Sequence, residues 1–325
     1  MIFVTIHDTG IFGKYRKGEN KMAKQKIVIL GASGMLGSML LDVCAKHSEF
    51  AVTGTTRSEE LLQSLKKTYH KVRFYQFDAE QDDPKTILNE TKPAWILNAI
   101  GVIKPYIHEN NGEEIRRAIS VNAQFPYLLA ERAAKIHSKV IQIATDCVYA
   151  GKAGHYQESD IHDSLDVYGK SKSLGEVYAD NFCNLRCSII GPELKAHTSL
   201  MDWLLSQPAD EAVSGFSNHQ WNGITTLHFA RICMGIIEKN VNLPHLQHIV
   251  PANTVSKALL LKTIAQNYQR TDISVRDTKA PVKIDRTLVT NNQKLNGELW
   301  KWAGYKTAPT IEKMIEELAQ YRICL

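Results

Sequence analysis

The stretch "KIVILGASGMLGSMLLDVCAKH", residues 26–47, constrains the fold more than any other part of the chain. "KIVIL" is a short, continuously apolar run, the pattern of a strand buried on both faces. Glycines follow at 31, 34 and 37, and then a helical pattern begins. A strand that turns through glycines into a helix points the helix's first N–H groups, and the positive end of its dipole, at the turn. Gly31 permits the tight turn, Gly34 lets a pyrophosphate reach the backbone, and Gly37 allows close helix–strand packing. Ser33, Met35 and Leu36 complete the loop and the helix entry. The expected ligand is a dinucleotide.

The rest of the first 191 residues repeats the strand–helix alternation. Strands are expected at 50–57, 72–78, 94–101, 139–145 and 185–191, with helices at 58–67, 112–135 and 166–182. That order predicts an α/β fold with a doubly wound, Rossmann-type parallel sheet. After Pro192 the pattern changes. Helices are expected at 199–207, 227–239, 254–268, 289–302 and 310–321, a strand at 245–251, and a polar loop at 217–226. The expected organisation is an N-terminal extension at 1–21 and a nucleotide-binding domain at 22–191. A smaller C-terminal substrate lobe at 192–325 sends some segments back to the sheet.

Composition narrows the function. Charged residues make up 22% of the 325, and the net charge of +5 is spread rather than blocked, so neither nucleic acid nor a membrane surface is called for. No apolar stretch approaches the roughly 20 residues that span a bilayer. The six cysteines form no CxxC pair and the twelve histidines no HExxH, so free thiols, a reducing cytoplasmic setting and no metal are expected.

A second motif gives the first a purpose. "IATDCVYAG" ends the fifth strand, so Thr145 opens onto the same sheet edge as the glycine turn. "DVYGKSKSLGE" then places Tyr168 and Lys172 four apart, on one helix face. Reducing a ketone builds negative charge on its oxygen as hydride arrives. A phenol can supply the proton, but its ordinary pKa near 10 is high for neutral pH, and a nearby ammonium is expected to lower it. A threonine hydroxyl can orient the carbonyl. Further acidic or basic positions matter for the cofactor. An acid some 20 residues after the last glycine would bind an NAD ribose; here Arg57 stands there, beside Ser58. A guanidinium suits a 2′-phosphate, which favours NADPH over NADH.

These motifs, with "VNAQFPYLLAERAA", "LRCSIIGPE" and "HIVPANTVSK", resemble the extended short-chain dehydrogenase/reductases, and most closely the dTDP-4-dehydrorhamnose reductase group. The resemblance implies an NADPH-dependent reductase of a nucleotide-linked 4-keto-6-deoxysugar, active in nucleotide-sugar and surface polysaccharide biosynthesis. Alternatives stay open: an NAD-dependent sugar-nucleotide epimerase or dehydratase, or a non-catalytic regulatory subunit of the methionine adenosyltransferase type. It also implies that Asp78 and Ala79 meet the adenine and that Asn98, Ala99 and Gly101 line the cofactor cleft. Asp146 would touch the sugar, and Asn122 would brace the active-site helix. Lys104 would meet a diphosphate or be solvated. Trp221 and Asn222 fall in the expected substrate loop, where the tryptophan either stacks on a base or packs internally. Arg186 has no assigned role, and a homodimer is compatible with the pattern. The chain departs from the reductase pattern at Cys147, where an aromatic residue is usual, and in "HQWNGITT".

Overall fold

The computed structural model describes residues 24–194 and 198–324, so the expected extension at 1–21 lies outside the described residues. In chain order the first half runs β1 (Gln25–Leu30), α1 (Met35–Ala45), β2 (Phe50–Thr56), α2 (Glu59–Thr68), β3 (Arg73–Gln76), α3 (Lys85–Thr91) and β4 (Trp95–Asn98). It continues with α4 (Gly112–Ala118), α5 (Phe125–Ala134), β5 (Lys139–Ala144), α6 (Val167–Leu174) and β6 (Phe182–Arg186). The second half comprises β7 (Ile189–Ile190), α7 (Leu200–Leu205), β8 (Ala212–Phe216), β9 (His219–Trp221), β10 (Ile224–Thr225) and α8 (Thr226–Lys239). Then come β11 (Leu246–His248), β12 (Val255–Ser256), α9 (Lys257–Asn267), β13 (Ser274–Thr278), β14 (Ile284–Asp285), α10 (Gln293–Trp302) and α11 (Ile311–Gln320).

Seven strands make one parallel sheet in the order β11-β6-β5-β4-β1-β2-β3. Its two faces explain the unbroken apolar runs. Ile27 and Ile29 of β1 enter one core with α1 and α8, while Val28 and Leu30 enter the opposite core with α3 and α5. The chain winds outward from β1 through β2 to β3, then crosses to β4 and winds the other way. Strand order therefore reverses between β1 and β4, the place where doubly wound sheets open a crevice at the carboxyl ends of their strands. β11, from the C-terminal part, closes the far edge.

The lobe beside this sheet carries three small sheets: β7 with β10, β12-β9-β14, and β8 with β13. The polar segment expected as a loop at 217–226 is two short strands, because β9 finds partners in β12 and β14 far along the chain. The helix expected at 112–135 is continuous but holds a π turn at 119–124 between α4 and α5. The one expected at 166–182 stops at Leu174, since Gly175 lies against the π turn: a Cβ there would sit 1.8 Å from the Asn122 carbonyl oxygen.

Candidate active site

The glycine turn is built for close approach. Gly31 adopts φ +79°, and a Cβ on Gly37 would lie 1.9 Å from the Gly31 oxygen, so α1 starts hard against the end of β1. Gly34 is the N-cap and offers no side chain to the helix N–H groups, which leaves them for a ligand. The turn is tied to β2: Gly31 N–H donates to Thr55 Oγ1 at 3.0 Å, and Ser33 Oγ lies 2.8 Å from Thr56 Oγ1. Arg57 follows directly, exposed, with no ion pair among the described residues. Ser58 caps α2 by accepting from the Leu61 N–H at 3.2 Å. Asp78 and Ala79 lie just past β3, where Asp78 accepts from the Glu80 N–H at 3.0 Å.

Across the crevice, Asn98 ends β4 with a buried side chain. Its amide donates to Gln142 Oε1 at 2.7 Å, and Gln142 donates to Asn184 Oδ1 at 3.1 Å. Gln142 also donates to the Gly175 carbonyl at 2.8 Å, which pins the end of α6 to the sheet. This polar ladder across β4, β5 and β6 was missed in the sequence. Its signal was one amide residue inside each of three apolar strands. Ala99 keeps the β4 end beside β1 through its N–H on the Leu30 carbonyl at 3.0 Å. Gly101 then passes close to both Asn122 Oδ1 and Lys172 Nζ, 3.3 and 3.9 Å from where its Cβ would be.

Thr145, Tyr168 and Lys172 converge at this edge. Thr145 is buried just past the end of β5; its hydroxyl accepts the Cys147 N–H at 3.1 Å, donates to Asp146 Oδ1 at 3.3 Å, and is near enough to the Tyr168 phenol to influence it. Asp166 starts α6 by accepting the Gly169 N–H at 2.7 Å. A Cβ on Gly169 would meet the Cys147 carbonyl at 2.4 Å, so the first turn of α6 sits directly on the Thr145 segment. Lys172 is 8% exposed and its Nζ donates to the Ile143 carbonyl at 3.2 Å. Asn122, in the π turn, braces this arrangement: it exchanges hydrogen bonds with both backbone groups of Val102 at 2.8 and 2.9 Å and donates to Ser171 at 3.1 Å.

The electrostatics differ from the expectation at one point. Burial, followed by the neighbouring Cys147 and Asp146, pushes the Tyr168 phenol above its ordinary value, with only the Thr145 hydrogen bond pulling it down. In the protein alone Lys172 is not what sets it. Burial lowers the Lys172 ammonium to about 8, partly offset by Glu176. The Cys147 thiol is pushed up to about 12 by burial and Asp146, so it is no thiolate.

The lobe contributes two cations that sequence reading did not single out. Burial raises the Asp146 carboxyl, and Arg286 and Lys257 act against that rise. Arg286 donates to the Tyr149 carbonyl at 2.8 Å; Lys257 lies over the Trp221 ring at 5.3 Å, its ammonium lowered to about 8 by burial. Other expected positions are engaged internally. Trp221 is 4% exposed and donates its indole N–H to Ser188 at 2.8 Å. Both ends of the Asn222 amide bind the Leu288 backbone, at 2.7 and 2.9 Å. Lys104 pairs with Asp166 at 2.7 Å on the surface.

The sheet order and glycine turn are those of the extended short-chain dehydrogenase/reductase group. Within that group the chain belongs to the RmlD substrate-binding domain family, whose model matches residues 25–321. The dTDP-4-dehydrorhamnose reductase of Aggregatibacter actinomycetemcomitans is 33% identical over 153 residues, 46% of this chain and 45% of that protein. The match thus spans about half the relative's length. Methionine adenosyltransferase 2 subunit beta of Danio rerio is 25% identical over 225 residues, 66% of this chain and 64% of that protein. Among solved structures, a Bacillus anthracis dTDP-4-dehydrorhamnose reductase in complex with NADP superposes with TM-score 0.67 at 18% identity, over 91% of this chain and 98% of that one. A Bacillus cereus UDP-glucuronic acid 4-epimerase gives 0.69 at 19%, over 91% and 98%. At such identities the structural likeness speaks to fold. Among the described residues no helix is long and apolar enough to cross a membrane.

Proposed function

We propose that this chain reduces the keto group of a nucleotide-linked 4-keto-6-deoxysugar with NADPH, in nucleotide-sugar and surface polysaccharide biosynthesis. The observation that carries the reading is the meeting of Thr145, Tyr168 and Lys172 beside the β1/β4 crevice, next to a helix start left uncapped. The residues present fit the cofactor. Gly34 keeps the helix start clear of side chain for a pyrophosphate, Arg57 offers a guanidinium for a 2′-phosphate with no ion pair among the described residues, and Gly101 lets the backbone pass close to Lys172, which would hold a ribose. When bound, NADPH supplies hydride to the keto carbon.

The chain's own residues do the rest. Tyr168 Oη gives its proton to the carbonyl oxygen, so the product is an alcohol. An ordinary phenol is already protonated at neutral pH, the form an acid needs; the rise on burial works against release of that proton. The Thr145 hydroxyl orients the same oxygen, and Lys172 holds the ribose and adds positive charge nearby. Lys257 and Arg286 bring two cations against the single carboxylate of Asp146. That excess suits an anionic substrate such as a sugar diphosphate.

Replacing Tyr168 with Phe tests the chemistry. Turnover should fall by at least roughly 100-fold, the scale of a lost general acid, while NADPH affinity is preserved. Retained turnover would remove Tyr168 as proton donor. The similarity to methionine adenosyltransferase beta subunits favours one rival reading, a non-catalytic binding module. On that reading the wild-type chain itself turns over no sugar nucleotide.

A further inference from the structure

Arg186, at the end of β6, is a completely buried guanidinium with five N–H donors and no acceptor. Glu176 takes two of its bonds, from Nε at 2.9 Å and from Nη2. Nη1 donates to the Tyr149 hydroxyl at 2.5 Å and to His248 Nε2 at 2.7 Å, and Nη2 donates to His162 Nε2 at 2.7 Å. The guanidinium also lies over the Tyr149 ring at 5.2 Å.

Because arginine only donates, both Nε2 atoms must present lone pairs. Both histidines are then neutral and carry their proton on Nδ1. For His248 the opposite nitrogen agrees independently, since its Nδ1 sits 2.7 Å from the Val289 carbonyl, which can only accept; His162 Nδ1 sits 2.6 Å from Ser173 Oγ, a hydroxyl able to accept it. Burial, followed by Arg186 itself, lowers the pKa of each, to about 4 for His248. A proton on either Nε2 would face the guanidinium donor directly.

The partners of Arg186 flank the segments that carry Thr145, Tyr168 and Lys172. Tyr149 follows the turn that begins at Thr145, and its carbonyl receives Arg286. Glu176 follows the end of the helix that carries Lys172, and Ser173, beside Lys172, meets His162. His248 and Val289 belong to the far strand and the lobe. We propose that Arg186 is a positioning residue, which through Glu176, His162 and Tyr149 locks the segment bearing Thr145 against the helix bearing Tyr168 and Lys172. It touches no reacting atom. The inference rests on the catalytic reading of those three residues.

Arg186→Lys keeps a charge but loses the fork. Compared per folded molecule, kcat should drop roughly 10- to 100-fold, the cost of a small misplacement, with KM for NADPH unchanged. Equal kcat in variant and wild type overturns the proposal, as does a change confined to KM. Should R186K not fold, His162 at the rim serves instead. His162→Gln keeps an acceptor and should retain kcat, whereas His162→Leu should lose it. Equal kcat in both overturns the lock. Nitrogen NMR of the imidazoles should find both Nδ1–H tautomers, and an Nε2–H form of either overturns the scheme. If the wild type reduces no nucleotide sugar, the reductase reading fails, yet the lock is still decided by amide exchange. R186K should then speed exchange in 145–149 and 167–174 together, and unchanged exchange overturns it.

Discussion

Tyr168 shows at the scale of one residue that burial and chemistry can pull in opposite directions. Its phenol is raised by desolvation and by Cys147 and Asp146, so it holds its proton at neutral pH and needs nearby positive charge to give it up. The pair Tyr168–Lys172 was legible in the sequence because both residues lie on one helix turn apart and need no distant contact to be recognised. Lys257 and Arg286 were not, because only the lobe's fold brings them to Asp146. Arg57 is a residue-scale prediction. Arg57→Ala should weaken NADPH about tenfold or more, the size of a lost charge-assisted hydrogen bond, and leave NADH nearly unchanged; equal losses in titrations of both cofactors would contradict its role. Gly37→Ala is sharper. With the Gly31 oxygen 1.9 Å from its Cβ, the variant should lose about 1–3 kcal/mol of stability and bind NADPH poorly, measured by urea unfolding and cofactor titration.

Elements carry the next layer. The alternation of strands and helices was readable because each strand is buried on both faces and each helix keeps its own period. The π turn at 119–124 was not, since the helical pattern runs on through it. Within it Asn122 reaches Val102 and Ser171 at once. The strands of the lobe were hidden for a related reason: β9 is three residues long and acquires its identity from β12 and β14. Asn122→Leu leaves the Val102 N–H and C=O buried without partners. It should cost about 1–3 kcal/mol in chemical denaturation and loosen α6; stability equal to wild type would show the brace is dispensable.

At the scale of the whole molecule, the segment after α11 packs back against α1. Asp42 of α1 is completely buried. It receives Lys46 at 2.6 Å, Tyr69 at 2.9 Å, Tyr321 at 2.7 Å and the Cys324 N–H at 3.0 Å. Burial alone would raise this carboxyl, but those donors together hold it below the ordinary aspartate value. A depressed folded-state pKa stabilises the fold above the unfolded value, near 3.9, and that contribution disappears as pH falls through the folded value. Denaturation midpoints should therefore fall on acidification below about pH 4, and less steeply in Asp42→Asn. An identical acid dependence in the variant would remove this anchor from the account. The central claim concerns the crevice, where turn, catalytic edge and lobe meet. Its most direct test is to follow nicotinamide absorbance while the wild-type chain meets a panel of nucleotide-linked 4-keto sugars. The account predicts NADPH consumed one for one with sugar reduced; sugar turned over without net NADPH loss, or no consumption with any member of the panel, would contradict it.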